Sequence, residues 1–166
     1  MNKKIIRNAR IITMNERLDI LPNGNILIEN GKISAITTQS LEDTDAEITD
    51  AEGMFLLPGL INTHTHLPMT MLRGFADDLP LQEWLQQKVF PNEARLKGED
   101  TYWLAILGIM EYLTSGITSN FDMYIMQDYH INAYVDTGFR TVFTSGLNNF
   151  TDSLEVLEEN YLRINE

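Results

Sequence analysis

The chain has 166 residues, 43% of them apolar, a formal net charge of −12 and no cysteine. This length is enough for one domain with a hydrophobic core, and the acidity disfavours a nucleic-acid partner because phosphates are repelled. The absence of cysteine excludes disulfide scaffolds and cysteine-ligated zinc. No run of residues is long and apolar enough to span a bilayer, and we expect a cytoplasmic protein.

Residues 1–57 read as β structure. The isoleucine-rich stretch Ile5–Met14 is typical of a strand. Two further apolar runs, 25–29 and 32–36, flank the pair Asn30-Gly31. An Asn-Gly pair supplies the positive φ angles of a tight two-residue turn, so the pattern predicts a β-hairpin.

An acidic stretch of turn-forming residues, 42–50, separates this hairpin from a short apolar strand at Met54–Leu57. Pro58-Gly59 ends that strand. We therefore expect residues 1–57 to form one β unit and residues 58–166 to form another kind of structure.

From residue 58 onward, predicted strands alternate with predicted helices. In chain order these are the strand 60–64, the helices 81–90 and 100–115, the strand 117–121, the helix 127–137, the strand 140–144 and the helix 153–164. This order implies an α/β fold with parallel strands and right-handed crossovers. About three βα units cannot close a barrel, which needs about eight, so they form either a small α/β protein or the front part of something larger.

Two local features refine the helices. Pro91 is expected to stop the helix 81–90, because proline lacks the amide donor and clashes with the preceding turn. In the helix 100–115, apolar side chains recur at helical spacing and predict a buried stripe. The stripe consists of Trp103, Leu104, Leu107, Met110 and Leu113.

His64 and His66 lie two residues apart at the end of a predicted strand. Side chains at this spacing point to the same face, so the two imidazoles can converge on one cation. Strand ends are also where parallel α/β folds place their sites, and neutral imidazole is a good ligand for zinc. The pair predicts a metal site, although His-x-His pairs also occur by chance on surfaces.

Two histidines do not complete a catalytic zinc site, which usually has three or more protein ligands. The third histidine, His130, lies in a predicted helix with no acidic or histidine residue four positions away, which favours a surface or capping role. The spacing singles out none of the remaining candidate ligands, which are Asp77, Asp78, Glu93, Glu111 and Asp122.

Three segments carry a resemblance to a known family. They are PGLINTHTHLPMTMLRGFADDLPLQEWL at 58–85, FPNE at 90–93 and GITSNFDMY at 116–124. The sequence resembles the amidohydrolase superfamily and, more narrowly, its 5-methylthioadenosine/S-adenosylhomocysteine deaminase branch, near the chlorohydrolase-like enzymes. The resemblance covers essentially the whole chain.

The resemblance implies a metal-centred (β/α)8 barrel, with a small β-sandwich of which residues 1–57 would be the N-terminal share. It implies that His64 and His66 are metal ligands, most simply for zinc, and that Glu93 grips the ribose hydroxyls of a nucleoside. Trp84 would line the substrate pocket or pack beneath it. Where the family has an arginine before a glycine after the third barrel strand, this chain has Ser145 before Gly146.

The resemblance further implies hydrolytic deamination of a purine ring, with the other ligands and the proton-shuttling carboxylates supplied by later strands. No catalytic residue is therefore expected within this chain, which reads as a fragment or a truncated gene product and would be inactive alone. Two alternatives stay open. One is an amidohydrolase acting on guanine or an amino-triazine, and the other is an inactive paralogue that associates as a homo-oligomer through its open sheet edge.

Overall fold

A computed structural model describes residues 3–42, 44–75, 78–144 and 153–164. Internal contacts divide the chain into two compact units, Met1–Pro58 and Gly59–Glu166. No helix in these described ranges is long and apolar enough to cross a membrane.

The first unit is a β-sheet. Its strands are β1 (Lys3–Ile12), β2 (Ile20–Glu29), β3 (Lys32–Thr37), β4 (Glu47–Asp50) and β5 (Phe55–Leu56). The order is β3-β2-β1-β4, and β5 also pairs with β1. The contacts β1–β2 and β2–β3 are antiparallel, whereas β4 and β5 run parallel to β1.

The predicted hairpin is confirmed. Asn30 and Gly31 have φ angles of 51° and 77°, and β2 and β3 pair from Glu29 opposite Lys32. Positive φ at both turn positions matches the right-handed twist of the two strands. Behind the sheet, a small core of Ala9, Ile11, Ile26 and Ala51 is buried.

The prediction that 42–50 is irregular is wrong in its second half, because Glu47–Asp50 forms β4 along β1. All four residues of β4 are exposed, so the strand has no buried face and shows no alternation in the sequence. Backbone pairing and surface ion pairs hold it. Lys4 Nζ lies 2.9 Å from Glu47 Oε2, and Arg7 Nε lies 3.1 Å from Asp50 Oδ2.

The second unit is a three-stranded parallel sheet with helices, which confirms the predicted α/β class. The strands β6 (Leu60–Thr65), β7 (Ile117–Asp122) and β8 (Arg140–Phe143) lie side by side in that order. The helices are a 3-10 helix (Leu67–Leu72), α1 (Leu81–Trp84), a π-helix (Leu85–Val89), α2 (Phe90–Glu93), α3 (Gly98–Thr114), α4 (Gln127–Thr137) and α5 (Leu154–Ile164).

Pro91 does not stop the helical run, contrary to the prediction. The π-helix Leu85–Val89 leads into α2, in which Pro91 occupies one of the first two positions. The first amides of a helix have no partner within it, so proline is tolerated there. The Asn92 side chain donates to Lys88 O at 2.7 Å and satisfies a carbonyl near this junction.

The predicted stripe of α3 is also wrong. Trp103 and Met110 are 61% and 59% exposed, whereas Ala105 and Ile109 are 0% and 1% exposed. α3 is apolar on both faces, and the 3-10 helix and α4 pack against the face with the smaller side chains. A Cβ atom on Gly108 would lie 2.4 Å from Leu67 Cδ1, so this face allows an approach that large side chains would prevent.

Substitutions at two neighbouring positions of α3 test which of its faces is buried. Ile109→Ala is expected to lower the free energy of unfolding by about 2–5 kcal/mol, because it leaves a cavity in the core. Met110→Ala is expected to change the free energy of unfolding by no more than about 0.5 kcal/mol, because substitutions of exposed side chains usually have small effects. Urea unfolding of the 166-residue chain measures both values. A larger loss for Met110→Ala than for Ile109→Ala would contradict the observed burial.

Candidate active site

The strand β6 carries an irregularity where it reaches the candidate site. Asn62 pairs with Asn120 and Thr65 pairs with Asp122, so two residues of β6 stand opposite one residue of β7. This arrangement is a β-bulge, which redirects side chains locally. Its two intervening residues are Thr63 and His64.

The bulge turns Asn62 and Thr65 to the same side. The Asn62 side-chain amide donates to the Tyr112 hydroxyl at 2.8 Å, and Thr65 Oγ1 lies 2.5 Å from the same oxygen. Residues three apart in a regular strand point to opposite faces. The bulge therefore lets Tyr112 of α3 contact two points of β6, and His64 within the bulge is exposed.

His64 and His66 lie next to each other, with ring centroids 5.3 Å apart and the rings nearly perpendicular at 78°. Zinc–nitrogen bonds are about 2.0–2.1 Å long in tetrahedral sites, so two imidazoles on one ion have centroids roughly 5 Å apart. The observed spacing matches that requirement.

A hydrogen bond defines the tautomer of His66. His66 Nδ1 lies 2.5 Å from Met123 O. A carbonyl oxygen can only accept, so Nδ1 carries the proton and Nε2 of the neutral ring has a free lone pair. A metal-binding histidine usually donates a hydrogen bond from its other ring nitrogen to an acceptor such as a backbone carbonyl.

Asp122 does not join the histidines as a ligand. Its carboxylate is fully buried and accepts hydrogen bonds from Leu67 N at 3.0 Å and from the Tyr134 hydroxyl at 2.7 Å. Asn120 Nδ2 donates in turn to the Tyr134 hydroxyl at 2.8 Å. These three residues link β7 and α4 to the segment that follows His66.

The other carboxylates considered from the sequence lie elsewhere. Glu111 forms a two-pronged ion pair with Arg73, with nitrogen–oxygen distances of 2.7 and 2.6 Å. Asp78 is exposed, and Asp77, like Ser145 and Gly146, lies outside the described residues. Within the part of the chain that the structure describes, no group of three or more histidine or acidic side chains is placed to hold a metal ion.

Glu93, the last residue of α2, is half-buried. Burial raises the pKa of its carboxyl, while Tyr124 and the protonated form of His66 act in the opposite direction. Tyr124 is half-buried with its hydroxyl oxygen buried, and its pKa is raised by burial and by the nearby Glu93 carboxylate, although no hydrogen bond of ordinary geometry joins the two. The structure thus brings Glu93 and Tyr124 into the electrostatic neighbourhood of His66. Tyr124 carries no signal in the sequence that could have identified it.

A cavity of about 390 Å³ opens beside His66. Trp84 lines it, together with Leu67 and Met69 of the 3-10 helix and Tyr112 of α3. Trp84 therefore borders the space next to a candidate ligand. The Arg73–Glu111 pair lies at the same cavity.

The sequence profile of the amidohydrolase family matches residues 55–155. The chain belongs to the amidohydrolase family. The match includes both histidines, the helices α1 to α4 and all three strands of the second unit.

Two similar curated proteins are named as deaminases. The chain is 45% identical over 143 residues to a 5'-deoxyadenosine deaminase of Methanosarcina acetivorans, covering 86% of this chain and 33% of the relative. It is 45% identical over 148 residues to a 5-methylthioadenosine/S-adenosylhomocysteine deaminase of Caldicellulosiruptor saccharolyticus, covering 86% and 34%. The chain thus spans about a third of the length of these relatives.

Solved structures show the same fold. An adenosine deaminase from Xanthomonas campestris with bound zinc superposes with a TM-score of 0.68 at 32% identity, covering 85% of this chain and 33% of that one. An atrazine chlorohydrolase from Arthrobacter aurescens complexed with zinc gives a TM-score of 0.81 at 23% identity, covering 96% and 42%. The second likeness concerns the fold alone.

His130 of this amidohydrolase is neither a surface nor a capping residue, contrary to the prediction. It is fully buried in α4, 3.6 Å from Asp122 Oδ2 and packed near the rings of Tyr124 and Phe143. Burial lowers its pKa, against the opposing charge of Asp122. The signal was present in the sequence, because His130, Ala133 and Tyr134 share one helical face and all three are buried.

The lowered pKa of His130 predicts loss of stability in acid. The unfolded chain takes up a proton near pH 6.5, whereas the folded chain takes it up only at a lower pH, so the stability contribution is complete above pH 6.5 and falls below it. We expect the free energy of unfolding to decrease between pH 7 and pH 5.5, by up to about 1.4 kcal/mol per pH unit.

Denaturant unfolding across this range checks the effect. His130→Gln cannot take up the proton and should show a shallower decrease. His64→Gln, at an exposed ring, should retain the slope of the unsubstituted protein. Equal slopes for all three proteins would show that His130 is not the titrating group.

Proposed function

We propose that this chain forms the first part of the active site of a metal-dependent deaminase that acts on adenosine-type nucleosides. The observation that carries the proposal is the pair His64 and His66 at the end of β6, with Nδ1 of His66 bound to Met123 O. The names of the relatives at 45% identity support the reaction and the substrate class.

The metal is proposed to be zinc, held in part by His64 and His66. The centroid spacing and the tautomer of His66 fit this ion, and two relatives of known structure carry zinc. When bound, a divalent metal supplies Lewis-acid activation of water and substrate. In this chain the two histidines would hold and orient it and would not move protons.

Glu93 is proposed to bind the ribose. A carboxylate accepts two hydrogen bonds from a diol, and a half-buried carboxylate gains more from these donors than one in water. The proximity of Tyr124 and His66, both of which act on the pKa of the Glu93 carboxyl, supports this proposal. The cavity beside His66, bordered by Trp84, gives apolar walls for part of the substrate.

The proposed architecture is a (β/α)8 barrel that begins at β6, with residues 1–57 as the N-terminal share of a β-sandwich. Tyr112 of α3 and Tyr134 of α4 contact Asn62 and Asn120 on one face of the β6-β7-β8 sheet. On the other face Ile61, Phe121 and Val142 are 67%, 43% and 55% exposed. Parallel sheets are normally covered on both faces, and closure into a barrel would turn this apolar face inward.

Metal content and activity test the proposal together. The longest natural polypeptide that contains these 166 residues is expected to retain about one zinc and to release ammonia from 5'-deoxyadenosine or 5-methylthioadenosine. His64→Ala/His66→Ala is expected to lose the metal and turnover. Turnover of guanine or an amino-triazine in place of the nucleosides would refute the substrate class, and full activity of the double variant would refute the site.

Glu93→Gln tests recognition of the ribose. We expect kcat/KM for 5'-deoxyadenosine to fall about 10- to 100-fold, because a charged acceptor contributes about 1.5–3 kcal/mol. The control substrate is 2',3'-dideoxyadenosine, which lacks the diol. For this substrate, Glu93→Gln should change kcat/KM little. The control variant is Glu83→Gln on the exposed side of α1. Equal losses for both substrates would exclude a contact with the diol.

A further inference from the structure

The end of β7 and the start of the 3-10 helix are joined by three consecutive contacts. Met123 N donates to Thr65 O at 3.2 Å, Met123 O lies 2.5 Å from His66 Nδ1, and Leu67 N donates to Asp122 Oδ1 at 3.0 Å. On the β7 side, two of these contacts use the backbone of Met123, the residue after β7. The third uses the side chain of Asp122, so on that side it is the one that depends on the identity of a residue.

The Leu67 amide belongs to the peptide that follows His66 and opens the 3-10 helix. The first amides of a helix lack partners within it, and His66, at the N-cap, makes no side-chain cap. The carboxylate of Asp122 satisfies this donor from a different element. On the other side of the same peptide, His66 O accepts from Met69 N at 2.8 Å. The peptide between His66 and Leu67 is therefore held at both ends.

Asp122 is itself held in place. Burial of an unpaired carboxylate is strongly unfavourable, and here each oxygen has a donor. Oδ2 accepts from the Tyr134 hydroxyl, which is bound in turn by Asn120. His130 Nε2 faces the same oxygen at 3.6 Å. A carboxylate fixed by neutral donors has one orientation, and it imposes that orientation on the Leu67 amide.

We propose that Asp122 is a positioning residue of the candidate metal site. Asp122 fixes the backbone at His66 and thereby maintains the hydrogen bond from His66 Nδ1 to Met123 O, which leaves Nε2 free to bind an ion. This inference rests on the proposed function for the role of the metal. The hydrogen bonds themselves do not, so the positioning and the metal binding can be tested separately.

The first measurement needs no metal. In the 166-residue chain at pH 8, nitrogen NMR of the imidazoles reports the His66 tautomer, and hydrogen exchange reports the Leu67 amide. Asp122→Ala is expected to speed Leu67 exchange about 10-fold or more and to convert the single Nδ1–H form of His66 into a mixture. Asp122→Asn keeps an acceptor for Leu67 and should restore most of the protection.

Thr101→Ala is the control for general destabilisation, because Thr101 is fully buried in α3 and its hydroxyl donates to Gly98 O, away from this network. It should lower the melting temperature without changing the His66 tautomer. If Asp122→Ala does not fold, Tyr134→Phe removes one donor to Asp122 and should speed Leu67 exchange about threefold. Unchanged Leu67 exchange and His66 tautomer in the folded variants would overturn the proposal.

The second measurement is Zn²⁺ affinity, by titration of the longest natural polypeptide that contains these residues. Asp122→Ala is expected to weaken binding about 10- to 100-fold, as loss of supporting contacts does at other metal sites, with substantial recovery in Asp122→Asn. An unchanged Zn²⁺ affinity in Asp122→Ala would overturn the positioning role. If the NMR effects appear but the unsubstituted protein binds no Zn²⁺, the proposed function fails alone.

Discussion

Two side chains of β6 that are three residues apart, Asn62 and Thr65, contact the same tyrosine hydroxyl on α3. A regular strand would point them to opposite faces, so the contact requires the bulge at Thr63 and His64. Everything at the candidate site follows from this local change of register. It joins β6 to α3 through Tyr112, leaves His64 exposed, and pairs Thr65 with Asp122, the last residue of β7.

That register places a buried carboxylate beside the segment that carries the second histidine. Because Asp122 cannot remain unpaired in the interior, it draws together the Leu67 amide and the Tyr134 hydroxyl. The stability of the second unit and the geometry of its site therefore depend on the same hydrogen bonds. Gly108 allows Leu67 to lie close against α3, so the packing of the helix and the position of the histidine segment are also coupled.

Patterns local in sequence predicted much of this fold. The Asn30-Gly31 hairpin, the parallel α/β order and the helix Gln127–Thr137 are confirmed. The errors come from interactions that are remote in sequence. Periodicity cannot choose between two apolar faces of α3, because the choice depends on which face the 3-10 helix and α4 approach. The surroundings of the histidines could not be predicted either, since neither Met123 O nor the Asp122–Leu67 contact leaves a trace in residue spacing.

At Glu93, the fold disfavours the ionised carboxylate that the proposed binding of ribose requires. The pKa of Glu93 is raised chiefly by burial, so the folded chain favours the protonated carboxyl. The protonated carboxyl contributes stability at low pH, and this contribution is lost as the pH rises through the raised pKa. At neutral pH an ionised Glu93 is therefore less favourable in the folded chain than in water. Hydroxyl donors from a ribose would replace the water that burial removes. A carboxylate that the fold stabilises poorly in its ionised form, and that a ligand would stabilise well, is typical of a binding site. Residue spacing does not distinguish this glutamate from a solvated one, and only the resemblance of the segment FPNE to the family singled it out.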